Sequence, residues 1–125
     1  VVDINSDGFY DIICANINAP NTIFYGNKNL NYKTSIHFDK ENDMSYSLDV
    51  GDFDNDGDPD IVVANSKSPN SVFFNLGPIG WKKELLKKED FNTYDIKVFD
   101  INADSFLDII ESNSDELNYY YINNK

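Results

Sequence analysis

Cysteine and histidine are almost missing from this chain: Cys14 and His37 are the single examples among 125 residues. A lone cysteine excludes an internal disulfide, and one histidine leaves no His/Cys cluster of the kind that zinc requires. Cys14 follows Ile12 and Ile13 and reads as a small buried apolar side chain. His37, in a polar-flanked stretch, reads as a solvated or packed side chain. No apolar run reaches the length of a membrane span, and no signal-peptide pattern is present. Basic residues are scarce as well, 10 against 22 acids, for a formal net charge of −12. That balance argues against nucleic acid or an anionic membrane as partner. Nothing resembles a nucleophile paired with a base, so the chain reads as a non-enzyme with no membrane insertion.

What is present is enough for one modest domain. Apolar residues make up 41% and aromatics 14%, which suits a packed β structure rather than a disordered chain.

The acids are concentrated. Asp52-Phe53-Asp54-Asn55-Asp56-Gly57-Asp58-Pro59-Asp60 places carboxylates at positions one, three, five and nine of a loop. Alternate residues of a wrapped chain point inward, so this rhythm can surround one cation. Gly57 sits where the loop must turn with positive φ, and Asp58 offers its backbone carbonyl. Six to eight oxygens in flexible geometry suit Ca²⁺, whereas Mg²⁺ demands a stricter octahedron. The helix-flanked calcium loop is excluded, because it needs a bidentate Glu at position twelve and that residue is Val63. The apolar, β-branched Ile61-Val62-Val63 reads as a buried strand, so the loop joins two strands.

The loop occurs three times. Asp3-Ile4-Asn5-Ser6-Asp7-Gly8-Phe9-Tyr10-Asp11 and Asp100-Ile101-Asn102-Ala103-Asp104-Ser105-Phe106-Leu107-Asp108 repeat it at spacings of 49 and 48 residues. Asn16, Asn65 and Asn113 stand at one repeat position, Phe24, Phe73 and Tyr121 at another, and Tyr32 matches Trp81. An internal repeat governs the fold. Ten of the 22 acids are aspartates at side-chain ligand positions of the loops, and three divalent cations would halve the net charge to −6.

Each repeat reads as four short strands separated by turn residues. The second unit is expected to hold strands at Ser45–Gly51, Asp60–Asn65, Ser71–Leu76 and Trp81–Leu86, with Tyr46, Leu48 and Val50 alternating onto one face. Lys87–Asn92 forms a charged connector, with a helical turn as an alternative. The first unit has strands after Asp11, at Thr22–Gly26 and at Tyr32–Phe38, and lacks nearly all of its entering strand. The third has Tyr94–Phe99, Asp108–Asn113 and Asn118–Ile122, and stops before its fourth. The units fall at about 1–42, 43–92 and 93–125. With only two residues before the first loop, the sequence reads as a fragment or as the ordered part of a longer chain.

The pattern D-x-[DN]-x-D-G-x-x-D-[IL]-[IV]-x-A-N, followed by an aromatic strand and a turn, resembles the FG-GAP/VCBS-type repeat. That is the calcium-binding blade repeat of integrin α propellers and of many secreted microbial proteins. The resemblance spans essentially the whole chain. It implies an all-β fold of tandem four-stranded antiparallel β-propeller blades, about two and a half of them, as a fragment or an open array. It implies about three Ca²⁺ ions, the first held by Asp3, Asn5, Asp7, Asp11 and the Phe9 carbonyl. The second takes Asp52, Asp54, Asp56, Asp60 and the Asp58 carbonyl. The third takes Asp100, Asn102, Asp104, Asp108 and the Phe106 carbonyl. Ser105 departs from the pattern, replacing the turn glycine at a cost of about 1 kcal/mol. Glu111 falls at position twelve of its loop, but Ile109-Ile110 still reads as strand.

Three functional classes stay open on the sequence. One is an extracellular module that recognises a glycan or protein, with Tyr10, Tyr32 and Trp81 as stacking candidates unless they pack between blades. Another is a self-assembling unit whose partners are other blades or copies of the same chain, joined at the incomplete terminal units. The third is the accessory domain of a larger secreted enzyme.

Overall fold

The computed structural model describes residues 1–87 and 91–124. Residues 88–90 of the charged connector lie outside the described residues. Ten strands form three antiparallel sheets in chain order, and no α-helix occurs among the described residues. The first sheet holds β1 (Ile12–Cys14), β2 (Thr22–Tyr25) and β3 (Thr34–His37). The second holds β4 (Met44–Gly51), β5 (Asp60–Ser66), β6 (Ser71–Asn75) and β7 (Trp81–Leu85). The third holds β8 (Thr93–Phe99), β9 (Asp108–Asn113) and β10 (Tyr119–Tyr121). Each is an up-and-down meander, as short strands joined by tight polar turns require. None of the sheets is closed into a ring.

The sheets stack face to face, and the stacking makes the core. Ile4 and Ile23 of the first unit pack against Ile61, Val63 and Phe73 of the second. On the other face of the second sheet, Phe53, Val62 and Val72 pack against Ile96 and Ile109 of the third. β5 is therefore buried on both sides, from Asp60 to Ser66, which is why its centre, Ile61-Val62-Val63-Ala64, is continuously apolar rather than alternating.

The Ala-Asn and Pro-Asn pairs of the repeat have a structural reason. The backbone N–H of Asn16, Asn65 and Asn113 donates to Oδ1 of Asn21, Asn70 and Asn118, at 2.8, 2.7 and 2.8 Å. In return Nδ2 of the first asparagine donates to the carbonyls of Pro20, Pro69 and Leu117, each at 2.8 Å. Each turn between the second and third strand positions is thus closed without a backbone ladder.

Two expectations are corrected. Tyr46 does not share a face with Leu48 and Val50, because a β-bulge shifts the register between Ser45 and Ser47. The same bulge recurs between Thr93 and Asp95. The extra residue turns Tyr46 and Tyr94 outward, where their rings meet at 4.8 Å. It turns Ser45 and Thr93 inward, to donate to Oδ1 of Asn65 and Asn113 at 2.8 and 2.7 Å. Cys14 is only half-buried, unlike its fully buried counterpart Val63. Before β1 there is a single bridge, Val2 with Asp11, instead of a full entering strand to cover it. His37 is exposed on the edge strand β3 and meets Thr22 Oγ1 through Nδ1 at 3.0 Å.

Candidate metal centres

All three loops have one hydrogen-bond plan. The first aspartate accepts two backbone N–H groups from across the loop. For Asp3 these are Asp7 and Gly8 at 3.0 and 2.8 Å, for Asp52 they are Asp56 and Gly57 at 3.1 and 2.9 Å, and for Asp100 they are Asp104 and Ser105 at 3.1 and 2.9 Å. The fifth-position carboxylates of Asp7, Asp56 and Asp104 accept the N–H of Phe9, Asp58 and Phe106, each at 2.9 Å. Such closures are ordinary Asx-turn chemistry.

The loop needs two left-handed residues, of which the sequence pattern advertises one. Gly8, Gly57 and Ser105 take φ of 88°, 96° and 72° at the sixth position. Ser6, Asn55 and Ala103 take 58°, 58° and 60° at the fourth. A Cβ added at Gly8 or Gly57 meets nothing within 4 Å, so glycine is favoured there for its backbone alone.

The last aspartate of each loop is fully buried and works as a staple. Asp11, Asp60 and Asp108 are 0% exposed. One oxygen accepts from the second loop residue: Ile4, Phe53 and Ile101 at 3.0, 2.9 and 2.8 Å. The other accepts from the backbone at or just beyond the end of β2, β6 and β10: Gly26, Asn75 and Asn123 at 2.7, 2.8 and 2.9 Å. These carboxylates therefore tie the loop to its own sheet, a role that the ligand rhythm alone does not reveal.

The loops differ at the third position. Asn5 and Asn102 donate Nδ2 to Oδ2 of Asp7 and Asp104, at 3.1 and 2.8 Å. Asp54 has no proton to donate, and its Oδ1 is buried without a hydrogen-bond partner among the described residues. Asp52, Asp54 and Asp60 each bring a carboxylate oxygen within 4.8 Å of the other two. No such group of three acids forms in the loops at 3–11 and 100–108, among the described residues. Burial, with the neighbouring charges of Asp54 and Asp56, pushes the Asp60 carboxyl up to about 6 against the pull of its two backbone hydrogen bonds. An all-oxygen, carboxylate-rich cluster with an unsatisfied buried oxygen fits a hard divalent cation. The central loop is where the structure gathers the predicted ligands most completely. In the outer loops an asparagine amide supplies the balancing donor.

A second acidic group was not anticipated: Asp39, Glu41 and Asp43 also converge within 4.8 Å. It already surrounds a cation. The Lys83 ammonium bonds Glu41 and lies 3.7 Å from both Asp39 and Asp43, joining the end of the first unit to β7. Burial raises the Asp39 carboxyl, while the hydrogen bond from Lys83 lowers that of Glu41. The alternating acids at 39, 41 and 43 were the available signal.

Of the stacking candidates, Tyr10 is exposed, whereas Trp81 is half-buried with its ring 5.8 Å from that of Phe38. Tyr32 is half-buried beside Gly26.

Three successive antiparallel sheets, each carrying the same aspartate loop, define an open array of propeller-type blades. A family model described as FG-GAP-like repeat matches the chain twice, over residues 3–63 and 52–111. The chain belongs to that FG-GAP-like repeat family. Each match runs from the first aspartate of one loop into the strand that follows the next loop. A search of curated proteins gave no match.

Proposed function

We propose that the chain is a calcium-binding, β-propeller-type repeat module that acts outside the cell as a structural and recognition scaffold. The observation that carries the metal reading is the buried, unpartnered Oδ1 of Asp54 beside Asp52 and Asp60. Asp52, Asp54, Asp56 and Asp60, with the Asp58 carbonyl, would hold the central ion. Asp3, Asn5, Asp7, Asp11 and the Phe9 carbonyl would hold the first. Asp100, Asn102, Asp104, Asp108 and the Phe106 carbonyl would hold the third.

The ion's contribution is structural. Two carboxylates 4 Å apart repel by about 4 kcal/mol at an effective dielectric of about 20. A bound cation turns that repulsion into a crosslink between the strands on either side of the loop. Loops of mixed charge and modest rigidity suit the millimolar calcium outside cells, where sites of about 10⁻⁴ to 10⁻³ M suffice. We assign the chain no reaction of its own. Its partners on this reading are a glycan or protein ligand and further blades. No helix among the described residues is long and apolar enough to cross a membrane.

Amide NMR on chelator-treated protein titrated with Ca²⁺ tests the reading residue by residue. The amides of Asp56, Gly57 and Asp58 are expected to move first, and those of the 3–11 and 100–108 loops later. Shifts confined to residues outside the three loops would refute it.

A further inference from the structure

The first and second sheets pack on each other through Ile23 and Phe73, and beside that contact they leave a groove of about 570 Å³. Ligand pockets typically enclose about 300–1,000 Å³. Tyr25 and Ile36 of the first unit face Trp81 of the second across it, and one residue of each aspartate loop, Asn5 and Asp58, also lines it. Asn75 donates Nδ2 to the carbonyls of Ile4 and Pro59, at 3.0 and 3.3 Å, and so ties the two loops together at the groove.

Three polar groups in this lining do nothing for the fold. The Tyr25 hydroxyl, the Trp81 Nε1–H and the Asp58 carboxylate have no hydrogen bond or ion pair among the described residues, although all three residues are half-buried. The repeat does not demand them either. Tyr25 stands where the second unit has Phe74, and Asp58 stands where the other two loops have Phe9 and Phe106. The matching groove between the second and third sheets is about 200 Å³, with Phe53, Phe74 and Leu85 at the positions of Ile4, Tyr25 and Ile36. The backbone is also open on the Trp81 side. Gly77 and Gly80 take φ of 57° and 111°, and a Cβ added at either meets nothing within 4 Å, which leaves room for a ligand beside the main chain.

We propose that this groove binds one sugar residue of a glycan, a neutral pyranose whose C–H face lies on an aromatic ring and whose hydroxyls pair with Asp58, Tyr25 and the Trp81 indole. The inference rests on the reading of the chain as a recognition module and gives its glycan a place. A carboxylate only accepts, an indole only donates and a phenol does both. A polyol satisfies all three, because each hydroxyl donates and accepts. An ammonium ligand has nothing to accept from Tyr25 or Trp81, and an anion meets the Asp58 charge in a chain of net charge −12. Two aromatic rings and a few convergent polar groups are the usual makings of such a pocket.

Trp81 is the single tryptophan, so its indole N–H resonance reports on the groove directly. In calcium-containing buffer, a panel of neutral hexoses, N-acetylhexosamines and their disaccharides at millimolar concentration should include at least one that moves this resonance saturably. Tetramethylammonium and N-methylacetamide, the cationic and peptide-like alternatives, should leave it in place. Tyr25→Phe keeps the ring and removes a hydroxyl the fold does not use, so it should weaken the saccharide about three- to tenfold with thermal melting unchanged. Asp58→Ala keeps the loop carbonyl and should weaken it by at least about tenfold. Tyr10→Ala, at an exposed aromatic outside the groove, should change nothing. A panel that leaves the indole unmoved would overturn the proposal, as would a response to tetramethylammonium or N-methylacetamide alone, or saccharide binding that Tyr25→Phe and Asp58→Ala both leave intact. A saccharide that saturation-transfer NMR shows bound while the indole stays still would overturn the groove and leave the recognition reading standing. Calcium-driven shifts of the loop amides, recorded on the same sample, keep either failure apart from that of the metal reading.

Discussion

Replacing Asp60 with asparagine separates the two roles assigned to the central loop. Asp60 is wholly buried and accepts the N–H groups of Phe53 and Asn75 at 2.9 and 2.8 Å. Asparagine keeps one acceptor oxygen and turns an NH₂ group toward the other N–H, leaving a buried donor unsatisfied. That loss costs about 1–3 kcal/mol. Removing a charge that burial already disfavours offsets part of it, so a net loss of about 1–2 kcal/mol is expected without metal. At this chain length that lowers the melting temperature by roughly 4 °C per kcal/mol. Asp56→Asn is the contrast, because Asp56 is exposed and an amide oxygen can still accept the Asp58 N–H. Its melting in chelator should match the parent, while its gain on adding calcium should shrink. Melts of the three proteins, each in chelator and in calcium, decide the matter. An Asp60→Asn variant as stable as the parent in chelator would refute the staple. An Asp56→Asn variant that loses as much stability in chelator as in calcium would refute the metal role.

Ser105→Gly should stabilise the third loop by about 1 kcal/mol, and Gly57→Ser should destabilise the second by a similar amount, since both positions are left-handed; denaturant midpoints in chelator measure both. In chelator the folded chain keeps the Asp60 proton up to about pH 6, whereas the unfolded carboxyl releases it near about 4. Metal-free stability should therefore fall as pH rises between those values, and the stabilisation by calcium, which needs the ionised form, should grow over the same window; urea midpoints at both ends of it provide the check. Lys83→Ala strips the ammonium from the half-buried cluster of Asp39, Glu41 and Asp43. It should cost about 2 kcal/mol, less than a fully buried pair, and raised salt should narrow the difference from the parent in thermal melts.

Much of this architecture is legible in the sequence because the repeat is read three times in register. The strands and their order follow from apolar runs bounded by aspartate loops and Pro-Asn turns. The single Val2–Asp11 bridge ahead of β1 and the three strands of the third sheet among the described residues match where those runs lie. What the pattern hides depends on single-residue register or on contacts across sheets. The bulge at Tyr46 and Tyr94 leaves no mark, since Ser45 and Tyr46 fit either face of a strand. The stapling by Asp11, Asp60 and Asp108 uses backbone donors fifteen residues downstream, and backbone groups carry no sequence signature. The left-handed turn at Ser6, Asn55 and Ala103 is filled by three different residue types. The Lys83 cluster depends on how two sheets pack. The third-position difference between Asp54 and the asparagines at 5 and 102 was visible as a charge count, but the orphaned oxygen emerges only once the loop is folded.

Whether these aspartate loops bind calcium is read from a calorimetric titration of the chelator-treated chain with Ca²⁺. Saturable binding of about three ions is expected, with Asp52→Ala removing the tightest class and leaving the weaker ones. No saturable heat at millimolar calcium would contradict it, and so would a binding curve that Asp52→Ala leaves unchanged.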